Sequence, residues 1–292
     1  MESSSSTAER FTLSGPSLKL DTRIHAYRRD LADIALAGQL FAPHYARPLI
    51  RSCGVIATFV RSEPSDTGPI VSELLPGEQF AVLEYAGGCA WGYCVQDHIV
   101  GYVEAIELVD GPEPTHVVCE ASAPIHGSGD IAAPVLARLP MASRVTGRED
   151  GPCLVTDTGC IPMSYLRPVG EHEEDAAAVA QRLFGSPYAM GGRSLHGVDD
   201  CGLIQLALSL CGLPAPRNND QQRMLGSEIE SGTHKRGDLI FFPDHVGIMT
   251  DDCLLLHASR TQAKVTVEPL TVVEDRSRSL SGEGIIARRR IG

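Results

Sequence analysis

Positive charge is scarce in this chain of 292 residues. Lys and Arg total 25 against 37 Asp and Glu, a formal net charge of −12. Binding to nucleic acid rests on Lys and Arg contacts to phosphate, so this balance argues against a nucleic-acid partner. An anionic membrane or wall polymer is an equally poor partner for such a surface. Long apolar runs are also missing, and none approaches the roughly 20 residues a membrane-crossing helix needs. The start, Met1-Glu2-Ser3-Ser4-Ser5-Ser6, has neither a basic segment nor an apolar one behind it, so it reads as a tail on a cytoplasmic protein. No Cys-x-x-Cys pair occurs, which argues against a zinc ribbon. The sequence calls for no metal and no organic cofactor. What it does have is nine cysteines, an odd number at irregular spacing. All but Cys201 read as small buried hydrophobes in a reducing compartment.

Four regions follow along the chain. Residues 1–48 read as a tail and a short helix, with Leu31, Ile34 and Ala35 at helical spacing and Asp30 as a cap. Residues 49–112 change to short alternating apolar runs between Gly and Pro turns: Val55–Val60, Gln79–Tyr85, Trp91–Val95 and Val100–Val103. That spacing predicts a small barrel. Residues 113–170 repeat the plan, with Pro134–Met141 echoing Pro69–Gly77 at a period of roughly 65 residues. Residues 171–292 place helices first, Ala176–Leu183 and Leu203–Leu210, and then five strands between Asp238 and Arg289, which makes an α+β domain.

The chemistry concentrates at Gly197-Val198-Asp199-Asp200-Cys201-Gly202-Leu203-Ile204-Gln205. A glycine turn runs through two carboxylates and a thiol into a helix. A thiol at a helix N-terminus lies at the positive end of the dipole, which favours thiolate. His245 and His257 follow downstream, each at the edge of an apolar run. A Cys followed by His residues on later elements is the layout of a cysteine hydrolase. Taken singly, either histidine is as well explained by packing.

Five segments in order make the pattern specific. They are Ser186–Ser194, Gly197–Gln205, Arg236–Phe242, His245–Ile248 and Leu256–Ser259. With them, residues 176–291 resemble an NlpC/P60 peptidase domain. The regions at 49–112 and 113–170 resemble bacterial SH3-like barrels. The expected fold is an α+β papain-like domain preceded by two small all-β SH3-like barrels, as in muropeptide-recycling members. The resemblance implies a cysteine endopeptidase that cleaves the γ-D-Glu–diamino acid bond of murein stem peptides with a free N-terminal L-Ala. It implies thiolate attack, His245 as base and His257 orienting it. It also implies Asp199 as receiver of the substrate ammonium. Tyr102 either lines the cleft from the first barrel or packs within that barrel.

The register of the motif departs from the family. The family pattern Gly-Φ-Asp-Cys-Ser-Gly-Leu, with Φ apolar, places Asp200 at the Cys position and Cys201 at the Ser position, with no gap on either side. One residue along a helix turns a side chain by roughly 100°. A carboxylate at position 200 fits three origins: a natural replacement, an engineered one, or a cysteine sulfinate of similar shape written as Asp. The alternative function is therefore a catalytically inactive homologue that binds muropeptides. Met190, where the family carries Trp, is a milder change.

Overall fold

A computed structural model describes residues 18–130 and 133–291. Most of the Ser-rich start lies outside the described residues. The lead-in differs from expectation. Residues Leu31–Asp33 form a strand paired in parallel with His44–Ala46, and a 3-10 turn, Ile34–Leu36, follows. Asp33, not Asp30, caps that turn by accepting from the Ala35 N–H at 2.9 Å. The apolar run is too short to repay helix nucleation. It gains more by burying Ala32, Leu36, Leu40 and Ala42 as a small core.

Residues 49–109 form an antiparallel sheet of seven strands, Ile70–Leu74, Thr58–Arg61, Val100–Glu104, Cys89–Cys94, Gln79–Ala86, Leu49–Cys53 and Leu108–Val109 in spatial order. It closes around Val60, Leu74, Phe80, Val82 and Val103. Between His116 and Pro168 lie a three-stranded and a five-stranded sheet with a core of their own around Val118, Ile125, Leu139, Leu154 and Ile161. Two cysteine expectations change here. Cys153 and Cys160, with Cα atoms 5.9 Å apart on the Cys153–Pro162 hairpin, are joined as a disulfide. Cys253 is free but exposed.

The last domain begins with helix α1 (Ala176–Gln181), capped by the Asp175 carboxylate, and helix α2 (Asp200–Leu210), capped by Asp199. A short α3 (Asn219–Gln222) follows. Six antiparallel strands then form one sheet, in the order Ser227–Glu228, Ala287–Arg290, Leu239–Phe242, His245–Met249, Leu254–Ser259 and Lys264–Pro269. Helix α2 packs on this sheet through Leu203, Ile204, Leu206, Ala207 and Leu208, against Val246, Ile248 and Leu256. Each such buried Leu, Ile or Val side chain contributes about 1.5–3 kcal/mol. Sequence reading did not place helix α4 (Leu270–Ser281), whose largely charged surface obscures its apolar positions Leu270 and Val273. No described helix is long and apolar enough to cross a membrane.

The first all-β unit is locked onto the last domain by buried polar contacts. The Arg193 guanidinium donates to Glu78 at 3.0 Å and to the Glu73 carbonyl at 2.9 Å, and the Ser194 hydroxyl donates to the Glu73 carboxylate at 2.9 Å. Burial pushes the Glu73 carboxyl up from its ordinary value, although the Arg193 N–H and Ser194 hydroxyl oppose it. Gln205 of α2 donates to Asp97 at 2.7 Å across the same junction.

Candidate active site

The motif at residues 197–205 folds into a turn and the first turn of α2. Asp199 caps the helix, its Oδ1 accepting from the Gly202 N–H at 2.7 Å. Its Oδ2 accepts from the Gly191 N–H at 2.8 Å and from buried Arg217 at 2.7 Å. Gly191 has φ of 78°, and a Cβ there would meet Ile70 of the first all-β unit at 2.6 Å. Only glycine lets this loop close against that unit.

Asp200 is the first residue of α2 and only 4% exposed. Its Oδ2 accepts from the Val246 N–H at 3.1 Å and lies 3.3 Å from His245 Nδ1. The other nitrogen of that ring, Nε2, is 2.7 Å from His257 Nδ1. His257 Nε2 is in turn 3.0 Å from the Glu268 carboxylate, which Arg276 of α4 holds from the far side at 3.0 Å. The hairpin register explains the last step. His257 lies opposite Thr266, and Glu268 is two residues along on the same face, the diagonal reach of a cross-strand pair.

The three contacts share their protons along one row: Asp200 accepts from His245 Nδ1, one proton lies between His245 Nε2 and His257 Nδ1, and Glu268 accepts from His257 Nε2. Burial raises the Asp200 carboxyl, but the His245 hydrogen bond and charge and the Val246 N–H outweigh it, leaving it below its ordinary value. Burial and the charge of His245 push His257 down to about 4 against the pull of Glu268. The Arg276 hydrogen bonds hold Glu268 low.

Sequence reasoning expected Cys201 to be activated, and the structure reverses this. Cys201 is partly buried and packs against the domain core, and no hydrogen bond joins it to His245 among the described residues. Burial first, then the charges of Asp200 and Asp199, push its thiol well above the ordinary value. A helix terminus contributes only about 0.3–1 kcal/mol, too little to offset them. Asp199 serves as helix cap and counter-charge to Arg217 rather than as an unshared carboxylate. Tyr102 is not brought to the cleft. It packs with Ala26, Leu83 and Trp91, its hydroxyl 3.5 Å from Arg28. Ile70 and Val71 face the cleft from the first unit instead, in a cavity of about 250 Å³ that also contains Met190, Asp200 and Cys201.

Sequence reading missed Glu268, Arg276 and Arg217. For Glu268 the signal was present in the alternation Val265-Thr266-Val267-Glu268, once its strand is paired with that of His257. Arg217 and Arg276 lie in a loop and on an uncalled helix, with no local pattern to mark them.

Comparison with known proteins bears on the domains that carry this site. Residues 185–278 match the NlpC/P60 family, and residues 60–108 match the bacterial dipeptidyl-peptidase Sh3 domain. Through its last domain the chain belongs to the NlpC/P60 family. A peptidoglycan endopeptidase of Mycobacterium tuberculosis is 36% identical over 103 residues, 30% of this chain and 43% of that protein. A γ-D-glutamyl-L-lysine dipeptidyl-peptidase of Bacillus cereus is 27% identical over 105 residues, 33% of this chain and 32% of that protein. The crystal structure of an NlpC/P60 family protein from Bacillus cereus shares the fold with a TM-score of 0.70 at 16% identity, over 83% of this chain and 99% of that one. The match to the first curated relatives spans 52% and 45% of their length, about half.

Proposed function

We propose that this chain acts on murein-derived stem peptides through an NlpC/P60-type hydrolase site. We take 1–48 as a lead-in, 49–112 and 113–170 as two SH3-like units and 171–292 as a papain-like domain. The substrate class is a short peptide with free N-terminal L-Ala and a γ-D-Glu–diamino acid bond. The names of the peptidoglycan and γ-D-glutamyl relatives support that class. The observation that carries the reading is the row Asp200–His245–His257–Glu268–Arg276 at the wall of a cleft closed by the first all-β unit. It is a proton-handling relay with a nucleophile's place at one end.

Asp200 favours a second reading, in which the site holds the peptide without cutting it. A carboxylate matches the charge of a thiolate beside His245, so the relay stays assembled. Attack by that carboxylate on an amide would have to expel the amine and leave an acid anhydride, a higher-energy product than the amide. Thiolate hydrolysis by this relay therefore requires a thiol at position 200, and the site as written favours binding over turnover. The decisive experiment is peptide mapping of residues 197–205 by mass, together with incubation of the full chain with L-Ala-γ-D-Glu-diamino acid peptide. Turnover blocked by iodoacetamide establishes the cysteine hydrolase. Saturable binding of an Asp200-containing chain without turnover establishes the binder, and absence of both refutes the substrate class.

A further inference from the structure

A cavity of about 360 Å³ lies where the two all-β units and the last domain meet. Asp97 reaches it from the first unit, Arg144 from the second and Gln205 of α2 from the last domain, with Glu171 of the connecting segment beside them. None of Asp200, His245, His257 and Glu268 lines it. At about 30 Å³ for each water of the liquid, it has room for on the order of ten waters, and so for a ligand of dipeptide size.

Its charges are not spent on one another. Glu78 and Arg193 also line it, but they form a buried pair at 3.0 Å and cancel. The Asp97 carboxylate is met by neutral donors, the Ile99 N–H at 3.0 Å and Gln205 Nε2 at 2.7 Å. The Arg144 side chain makes no hydrogen bond or ion pair among the described residues. A carboxylate and a guanidinium from different units, with no ion pair between them, therefore border the same space.

Gln205 adds a second demand. It is only 2% exposed, and its Nε2 is committed to Asp97 and to the Ala215 carbonyl at 3.0 Å, both on the cavity wall. Those bonds fix the amide plane and leave Oε1 a buried acceptor with no partner among the described residues. Arg193 Nε is a buried donor in the same position. Buried polar atoms of native folds are normally satisfied, so this pair points to a ligand that carries both an N–H and an oxygen acceptor.

The charge pattern narrows the class. A simple anion meets Asp97 and Glu171, and a simple cation meets Arg144. The carboxylates here do not converge as a metal site requires; among the described residues only Asp251, Asp252 and Cys253 do so, in the turn before Leu254–Ser259. A ligand with a carboxylate at one end and an ammonium at the other matches both walls.

We propose that this three-way junction binds a small zwitterion of dipeptide size, its carboxylate on Arg144 and its ammonium on Asp97 and Gln205 Oε1. The site is separate from the hydrolase cleft and does not depend on the murein-peptide reading. Since each unit supplies a wall, an occupied cavity holds the three together.

The test is calorimetric titration of the full chain with L-alanyl-L-alanine, N-acetyl-L-alanyl-L-alanine and L-alanyl-L-alanine amide, with a melting curve at saturation. The free dipeptide is expected to bind one per chain and to raise the melting temperature, as a ligand of the folded state does. Loss of either terminal charge weakens binding roughly tenfold or more, the worth of a charge-assisted contact. Arg144→Met weakens the free dipeptide by a similar factor and leaves the weaker affinity of the amide unchanged, because the amide lacks the group that Arg144 receives. No saturable binding up to about 10 mM overturns the proposal. So does an affinity that survives acetylation or amidation, or one that is unchanged in folded Arg144→Met, which would place the peptide elsewhere. Should Arg144→Met fail to fold, the three peptides on the wild-type chain decide. None of these probes contains a γ-D-Glu bond, so their failure leaves the murein-peptide reading standing.

Discussion

Replacing Asp200 by cysteine separates the relay from its missing nucleophile. In Asp200→Cys the introduced thiol begins α2, at the positive end of its dipole and beside His245, whose nearer nitrogen now lies 3.3 Å from a carboxylate oxygen. Both neighbours favour thiolate. The rest of the row needs no rearrangement, since His257, Glu268 and Arg276 contact one another and not Asp200. The cost to folding is bounded. The Val246 N–H loses its acceptor, about 1–3 kcal/mol for an orphaned buried donor. Removing a buried carboxylate returns part of that. The balance fits within a domain's usual stability of about 5–15 kcal/mol, so the variant folds. Loss of a nucleophile from an assembled triad costs on the order of 10³-fold or more, and its restoration is expected to return a comparable factor. The assay is release of free diamino acid from L-Ala-γ-D-Glu-diamino acid, followed by mass spectrometry with and without iodoacetamide. A folded Asp200→Cys protein no faster than the parent chain would falsify the claim that the relay is competent. A parent chain whose Asp200 is verified, yet whose turnover iodoacetamide abolishes, would show that Cys201 is the nucleophile after all.

Three further outcomes follow from the same contacts. The fall of His257 from 6.5 to about 4 favours its neutral form in the fold. A group whose pKa is lowered by folding contributes stability that is fully present above its unfolded value and is lost as pH falls through the folded one. Urea midpoints should therefore drop between pH 6.5 and 4 by the equivalent of roughly 3 kcal/mol, and His257→Gln should flatten that slope; a midpoint that does not move across this window would contradict a buried neutral His257. Glu268→Gln removes the charge opposite Arg276 and is expected to cost about 1–3 kcal/mol. In the Asp200→Cys background it should also alter the pH–rate profile, a change that simple destabilisation would not produce. Arg193→Met leaves the buried Glu78 carboxylate without its counter-charge and takes a donor from the Glu73 carbonyl at the junction with the first all-β unit. About 3–5 kcal/mol should be lost, seen as a lower melting temperature or a separate early transition; an unchanged melt would show that this cluster does not join the two units.

What the sequence disclosed and what it hid divide along a physical line. The strands at His245–Met249 and Leu254–Ser259 and helix α2 were legible because apolar periodicity and burial coincide there. The two histidines were legible because their flanks fix the register of the strands that carry them. Glu268 and Arg276 were not, because their partnership exists only after Lys264–Pro269 pairs with the His257 strand and α4 folds back over it. The short lead-in was misread because its helical spacing carried too little local energy to outweigh parallel pairing with His44–Ala46. Cys201 was misjudged for a related reason. The helix dipole is visible in a sequence, whereas the burial of the thiol and the nearness of two carboxylates are tertiary, and in this site they are the larger effects. Register, by contrast, survived intact: counting residues from Gly197 to Leu203 put Asp200 at the nucleophile's place, and the fold puts its carboxylate against His245. The motif's spacing and the contact with His245 both point to position 200, where the chemistry of a single residue type pointed to its neighbour, so the question of activity belongs to residue 200.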